Sequence, residues 1–147
     1  MNTLDAINEF IDFICEDLEI SKPKIEWNNK EFVSGTQQAI YNYKDDIIYL
    51  KKKYETGMDL YFAITHELRH KYQIVNNVFD PSKYKYLDEV SFNDYQKQFV
   101  EIDANAYASL IMISVFKRQP LFNGFNDEIK NMIFTRMENI YNESLEK

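Results

Sequence analysis

Two histidines occur in this chain, and they stand four residues apart in His66-Glu67-Leu68-Arg69-His70. On an α-helix that spacing puts both imidazoles on one face, one turn apart, close enough to share a single metal ion. Zinc is the ion such a pair implies. Two ring nitrogens leave it short of its tetrahedral set, so a third protein ligand must come from elsewhere while water keeps the fourth position. Glu67, beside the first histidine, could take a proton from that water. The pattern is the HExxH signature of metal-dependent peptidases.

No histidine remains for the third ligand, and Cys15 lies far upstream in a different amphipathic segment, so a carboxylate must supply it. The downstream candidates include Asp80, Asp88, Glu89, Asp94, Glu101 and Asp103, of which only the last two fall well inside a second strong helical pattern. A glutamate side chain is short, so its helix must run close to the metal helix, and Ala104 and Ala108 would permit that approach. Glu101 is the expected ligand. Asn105, one turn later, is expected to accept the free ring N–H of a bound histidine through its amide oxygen, and Asp103 could do the same from the side. Hydrolysis also needs a donor to the developing oxyanion, for which Tyr72, Tyr107 and Arg69 are available residue types.

With these residues in view, the chain resembles a known family. Ile47-Ile48-Tyr49-Leu50, then Phe62 to His70, then Glu101-Ile102-Asp103-Ala104-Asn105-Ala106-Tyr107-Ala108 are similar to the ImmA/IrrE family of zinc peptidase domains, over residues 38–113. The resemblance implies His66, His70 and Glu101 as zinc ligands and Glu67 as catalytic base. It further implies proteolysis of a protein substrate, commonly a DNA-binding repressor of a phage or mobile element. Arg69 stands where the family usually has glycine, so the packing around the site must differ locally.

These residues need elements to position them. Thr56-Gly57-Met58-Asp59 reads as a capping box that launches a helix over 57–77, with Leu60, Ile64, Leu68 and Val75 on its back face and His66, His70 and Gln73 on another side. Ser91-Phe92-Asn93-Asp94 reads as a second capping box, starting a helix that runs to about Lys117. Its main apolar stripe is Tyr95, Phe99, Ile102, Ala106, Leu110 and Ile113. Upstream, residues 3–20 form an amphipathic helix on Leu4, Ile7, Ile11, Ile14 and Leu18, ended by Pro23. Strands follow at Lys24 to Trp27, Gln38 to Tyr43 and Asp46 to Leu50, with turns at Gly35 and Lys44-Asp45. The stretch 46–53 is the candidate strand for aligning an extended peptide by backbone pairing. Residues 77–91 form a loop that could cover the cleft, and Asn126 caps a last helix to about Glu143. The fold expected is α+β and zincin-like: a small, mainly antiparallel sheet packed on the HExxH helix and a second ligand-bearing helix, flanked by N- and C-terminal helices, in one domain spanning residues 1–147.

Composition narrows the function classes. A net charge of −7 and a pI near 4.9 disfavour binding to phosphate backbones, and the short run Lys51-Lys52-Lys53 reads as a solvated strand edge, so no direct nucleic-acid contact is expected. The aromatic abundance, eleven Tyr and eleven Phe, accompanies many Asn, Lys and Ile, all with A/T-rich codons, and carries no functional weight. The N-terminus lacks a secretory signal, no run approaches a membrane span, with Ala106 to Phe116 too short, and one cysteine excludes an internal disulfide. A cytoplasmic protein without membrane contact is expected, with Cys15 a buried structural thiol. Against the zinc peptidase stands a second reading, a catalytically silent zincin-fold module that grips a partner repressor or antitoxin.

Overall fold

Ile7, Ile11, Ile14 and Leu18 recur at helical spacing, and in the computed structural model they form the buried side of helix α1, Thr3–Leu18. The structure describes residues 3–28, 32, 37–51 and 57–146. Leu4, placed on the same stripe by the sequence, is exposed. Glu19 adopts a left-handed conformation and the Ile20 amide returns to the Cys15 carbonyl, which closes the helix before Pro23. The chain then enters strand β1, Lys24–Trp27.

Strands β2, Ala39–Asn42, and β3, Ile47–Leu50, form a hairpin whose turn is set by Asn42: its side-chain oxygen accepts from the amides of Lys44 and Asp45. The sheet order is β1-β3-β2, with β1 parallel and β2 antiparallel to β3. The sheet is therefore mixed rather than mainly antiparallel. This ordering also corrects the docking-strand expectation. β3 is hydrogen-bonded along both sides, so its backbone has no open edge for a peptide; the burial of Ile48, Tyr49 and Leu50 follows from the same central position. The Gly35 turn and Lys52 and Lys53 lie outside the described residues.

Helix α2, Met58–Val75, carries the histidine motif; Gly57 is its N-cap, and Thr56 lies outside the described residues. Leu60, Ile64 and Leu68 are buried as expected, whereas Val75, in the final turn, is exposed. Lys71, buried on this helix, donates to the carbonyl and hydroxyl of Ser21 and pairs with Asp46 at 2.9 Å, so one ammonium joins the entry to β1, the hairpin turn and the metal helix.

The second long helix of the sequence is two helices. Ser91 does cap α3, Phe92–Lys97, accepting from the Asp94 amide, but Gln98 leaves helical geometry with ψ near 136° before α4, Phe99–Phe116, begins. Gln98 uses its side chain on the preceding loop, accepting from the Lys85 amide and donating to the Lys85 carbonyl. The break disrupts the expected stripe, and Phe99 is exposed. Every residue from Glu101 to Ser109 is buried, because α4 packs on α2 along one side and on α5, Asp127–Leu145, along another. Taken whole, α4 does reach the length and apolarity of a membrane span, contrary to expectation, yet in this fold it is a core helix with Glu101 and Asp103 enclosed. Asn126 caps α5, and Ile129 and Ile133 pack with Ile102 and Ala106 in a second, smaller core.

Among the described residues the molecule is an α+β arrangement of five α-helices and one three-stranded sheet, with its main core between α1, β3, α2 and α4. Ile64, fully buried at the centre of that core, tests it: Ile64→Ala should cost about 2–5 kcal/mol, seen as a lower urea midpoint with an unchanged slope.

Candidate metal centre

His66 and His70 project from adjacent turns of α2 with their Nε2 atoms 3.1 Å apart. Glu101, in the first turn of α4, reaches across to both: Oε1 lies 3.3 Å from His66 Nε2 and Oε2 2.9 Å from His70 Nε2. The small side chains of Ala104 and Ala108, both fully buried, stand on the helix that approaches α2 here. The three residues form a group that could hold a metal ion.

The donor set fits such an ion in detail. His66 Nδ1 is 2.8 Å from Asn105 Oδ1, and His70 Nδ1 is 2.8 Å from Gln73 Oε1. The Gln73 amide nitrogen donates to the Val100 carbonyl and the Asp103 carboxylate, both pure acceptors, so its oxygen must face the ring. The His70 ring therefore carries its hydrogen on Nδ1 and turns the Nε2 lone pair inward, and Asn105, whose amide nitrogen faces Gln96 Oε1, sets the His66 ring the same way. Two such lone pairs and a carboxylate at this separation repel one another unless a proton or cation lies among them. Ligands about 2.0–2.2 Å from a tetrahedral ion are themselves about 3.3 Å apart, close to the spacing here. Without an ion, burial disfavours the charged His70 ring, but Glu101 outweighs burial and raises its pKa to about 9. Glu101 is held well below the usual carboxylate range: burial opposes this, and His70 and His66 overcome it.

Glu67 is half-buried beside this group. Burial raises its pKa, His70 and His66 pull it back, and Glu101 pushes it further up. It sits within electrostatic reach of all three candidate ligands, as a proton acceptor for water at the site would have to.

Asp103 was expected against a histidine ring and is instead one bond further back. It accepts two hydrogen bonds from Arg69, at 2.8 and 3.0 Å, one from Gln73, and one from Arg136 of α5 at 2.8 Å. Burial alone would raise its pKa; Arg69, with Gln73 and Arg136, lowers it. Asp103 thus acts on His70 through Gln73. The room that Arg69 requires is found here: its guanidinium stacks over Tyr72 at 4.3 Å and Tyr107 at 4.8 Å. Two of the expected oxyanion donors are consequently engaged elsewhere, Arg69 on Asp103 and the Tyr107 hydroxyl on Asp17 of α1 at 2.6 Å, while the Tyr72 ring lies against the Arg69 guanidinium.

Two hydroxyls missed from the sequence stand at the site. Tyr84, in the loop before α3, donates to Glu101 Oε2 at 3.0 Å, and the Tyr95 ring of α3 meets the Tyr84 ring edge-on at 5.8 Å. Burial and the Glu101 charge raise both phenol pKa values, so both remain donors. Phe79 stacks on Tyr84 and sets its ring perpendicular to His70 at 5.4 Å. The loop after α2 therefore covers the ligands, as its position in the chain implied. The available signal was the aromatic density of residues 79–95.

No family model, curated protein or solved structure matches the chain. Asn105→Ala removes the acceptor behind His66 while leaving all three ligands, and should weaken metal affinity about 10–100-fold in chelator competition. Glu101→Ala in the same assay should abolish stoichiometric binding.

Proposed function

We propose that this chain is a zinc-dependent peptidase of zincin-like fold and ImmA/IrrE type, which hydrolyses a peptide bond in a protein substrate in the cytoplasm. The substrate class to which the resemblance points is a DNA-binding repressor of a phage or mobile element. One observation carries the proposal: Glu101, thirty-one residues after the motif, converges on two Nε2 atoms whose rings are each fixed from behind by an amide oxygen. A histidine pair that was only structural would not need both tautomers set this way. Three candidate protein ligands among the described residues, rather than the four of closed structural zinc sites, leave a position open for chemistry.

Zinc bound here would supply Lewis-acid polarisation of a carbonyl and of water. The remaining work belongs to the protein. Glu67 takes the proton of the attacking water and delivers it to the leaving amine, a role suited to a carboxylate whose pKa burial raises. Asn105 and Gln73 hold the two rings in register throughout. Arg69 and Tyr107 are bonded to carboxylates away from the candidate ligands, and Tyr84, whose hydroxyl bonds one of those ligands, is the residue we assign as donor to the developing oxyanion. Its neutral hydroxyl already lies at hydrogen-bond distance from a candidate ligand.

The second reading, a silent module that binds a partner repressor or antitoxin, is favoured by one feature. Tyr84 and Phe79 cover the ligands, and the Tyr84 hydroxyl is spent on Glu101. Kinetics separate the two. Glu67→Gln should retain zinc and lose about 10²–10⁴-fold in cleavage rate of a peptide library or a co-encoded repressor, and chelation should abolish cleavage until zinc is returned. Equal cleavage by Glu67→Gln would sink the base assignment. A stable complex containing an intact partner would support the binding module instead.

A further inference from the structure

Asp103 is bonded beyond the needs of its charge. Arg69 alone neutralises it, gripping the carboxylate from one side through Nε to Oδ2 at 2.8 Å and Nη2 to Oδ1 at 3.0 Å. Arg136 of α5, thirty-three residues further along the chain, adds its own Nε to Oδ1 at 2.8 Å, and Gln73 Nε2 donates to Oδ2 at 2.8 Å. These bonds fill the roughly four lone-pair sites that a carboxylate offers. The second guanidinium is therefore not there to balance charge. It fixes orientation, holding Oδ1 so that Oδ2 stays aimed at Gln73. Arg136 is itself held: its guanidinium lies over the Phe99 ring at 5.2 Å, and its Nη1 pairs with Glu143 at 3.3 Å. This gives a role to Phe99, an apolar residue left exposed at the first position of α4.

From this geometry we propose that Arg136 is a positioning residue of the metal centre, keeping His70 in its metal-binding tautomer through Asp103 and Gln73. Gln73 could face His70 with either end of its amide. With the oxygen there, at 2.8 Å from Nδ1, the ring keeps its hydrogen on Nδ1 and Nε2 is free for an ion. With the nitrogen there, the hydrogen would move to Nε2 and the ligand would be lost. The acceptors behind the amide make the choice: Asp103 Oδ2 and the Val100 carbonyl both take hydrogens from the Gln73 nitrogen. Arg136 stabilises the carboxylate in the orientation that enforces it. None of the three candidate ligands lies on α5, yet through this side chain α5 belongs to the centre. Ile129 and Ile133, packed in the second core, dock the helix that carries the guanidinium to Asp103. The inference rests on the metal-binding half of the peptidase reading and not on turnover.

The test uses the full chain, with zinc affinity read in chelator competition and ligand geometry read from the visible absorbance of the cobalt-substituted protein, neither of which requires cleavage. Arg136→Met keeps much of the side chain's apolar length and removes the guanidinium; it should weaken zinc binding about tenfold and shift the cobalt bands. Arg136→Lys should recover most of the loss. Ile133→Ala loosens α5 without touching the network, so it should lower the urea midpoint and leave zinc affinity unchanged. In a Gln73→Leu background Arg136→Met should have no further effect, because its route to His70 is already gone. If Gln73→Leu does not fold, the comparison of Arg136→Met with Ile133→Ala decides. Natural zinc affinity in Arg136→Met, an equal loss in Ile133→Ala, or an undiminished loss in the Gln73→Leu background each overturns the positioning role and leaves the metal centre and the peptidase reading standing. A natural chain that binds neither zinc nor cobalt overturns the centre and this proposal together. Zinc binding that depends on Arg136 in a chain that cuts nothing supports the proposal and removes only the peptidase reading.

Discussion

Everything at the candidate metal centre depends on two helices coming close enough for one short carboxylate to reach two imidazoles. α2 and α4 pack against each other, Ala104 and Ala108 are fully buried on α4, and Glu101 lies within 3.3 Å of both rings. Charges of this kind are costly to bury, each demanding partners in place of water. The protein offsets that cost with a continuous network in which no polar group is isolated: His70 to Gln73, Gln73 to Asp103, and Asp103 to two guanidiniums. Removing one member would leave its neighbours charged and enclosed. The rings are therefore fixed more rigidly than any single hydrogen bond of about 1 kcal/mol would achieve.

The same network reaches well beyond the ligands. Arg136 brings α5 to Asp103, and Arg69 brings Tyr107, which is bonded in turn to Asp17 of α1. On the adjacent residue of the motif, Lys71 anchors the sheet through Ser21 and Asp46. Three consecutive positions, Arg69, His70 and Lys71, thus join the metal helix to its second helix, its ligand set and its sheet. This explains why a charged pair of side chains flanks a histidine in the middle of a buried helix, where apolar residues would be the ordinary choice.

Much of this was legible from residue spacing. The HExxH motif placed two candidate ligands on one helical face, elimination left Glu101, and the amide at Asn105 was legible because a ring nitrogen that binds a metal leaves its other nitrogen needing an acceptor. α1, β1 and α5 followed from periodicity and caps. What escaped the sequence depended on contacts between distant segments. A parallel β1–β3 pairing has no local signature, so the central position of β3 was not foreseen. The helix break at Gln98 involves neither Gly nor Pro; it is stabilised by a side-chain clamp on Lys85, thirteen residues earlier. Arg69 looked like a donor for catalysis because its partner, Asp103, lies thirty-four residues away. Tyr84 belongs to an aromatic-rich stretch but to no spaced motif, and only the folded loop brings its hydroxyl to Glu101.

The Gln98 clamp makes the roof of the site and its third ligand parts of one hinge. The side chain that grips the Tyr84-bearing loop belongs to the residue whose carbonyl receives the Glu101 amide, at 3.0 Å. The loop that carries Tyr84 and the helical turn that carries Glu101 are thus moored to the same residue, so neither can be placed without placing the other.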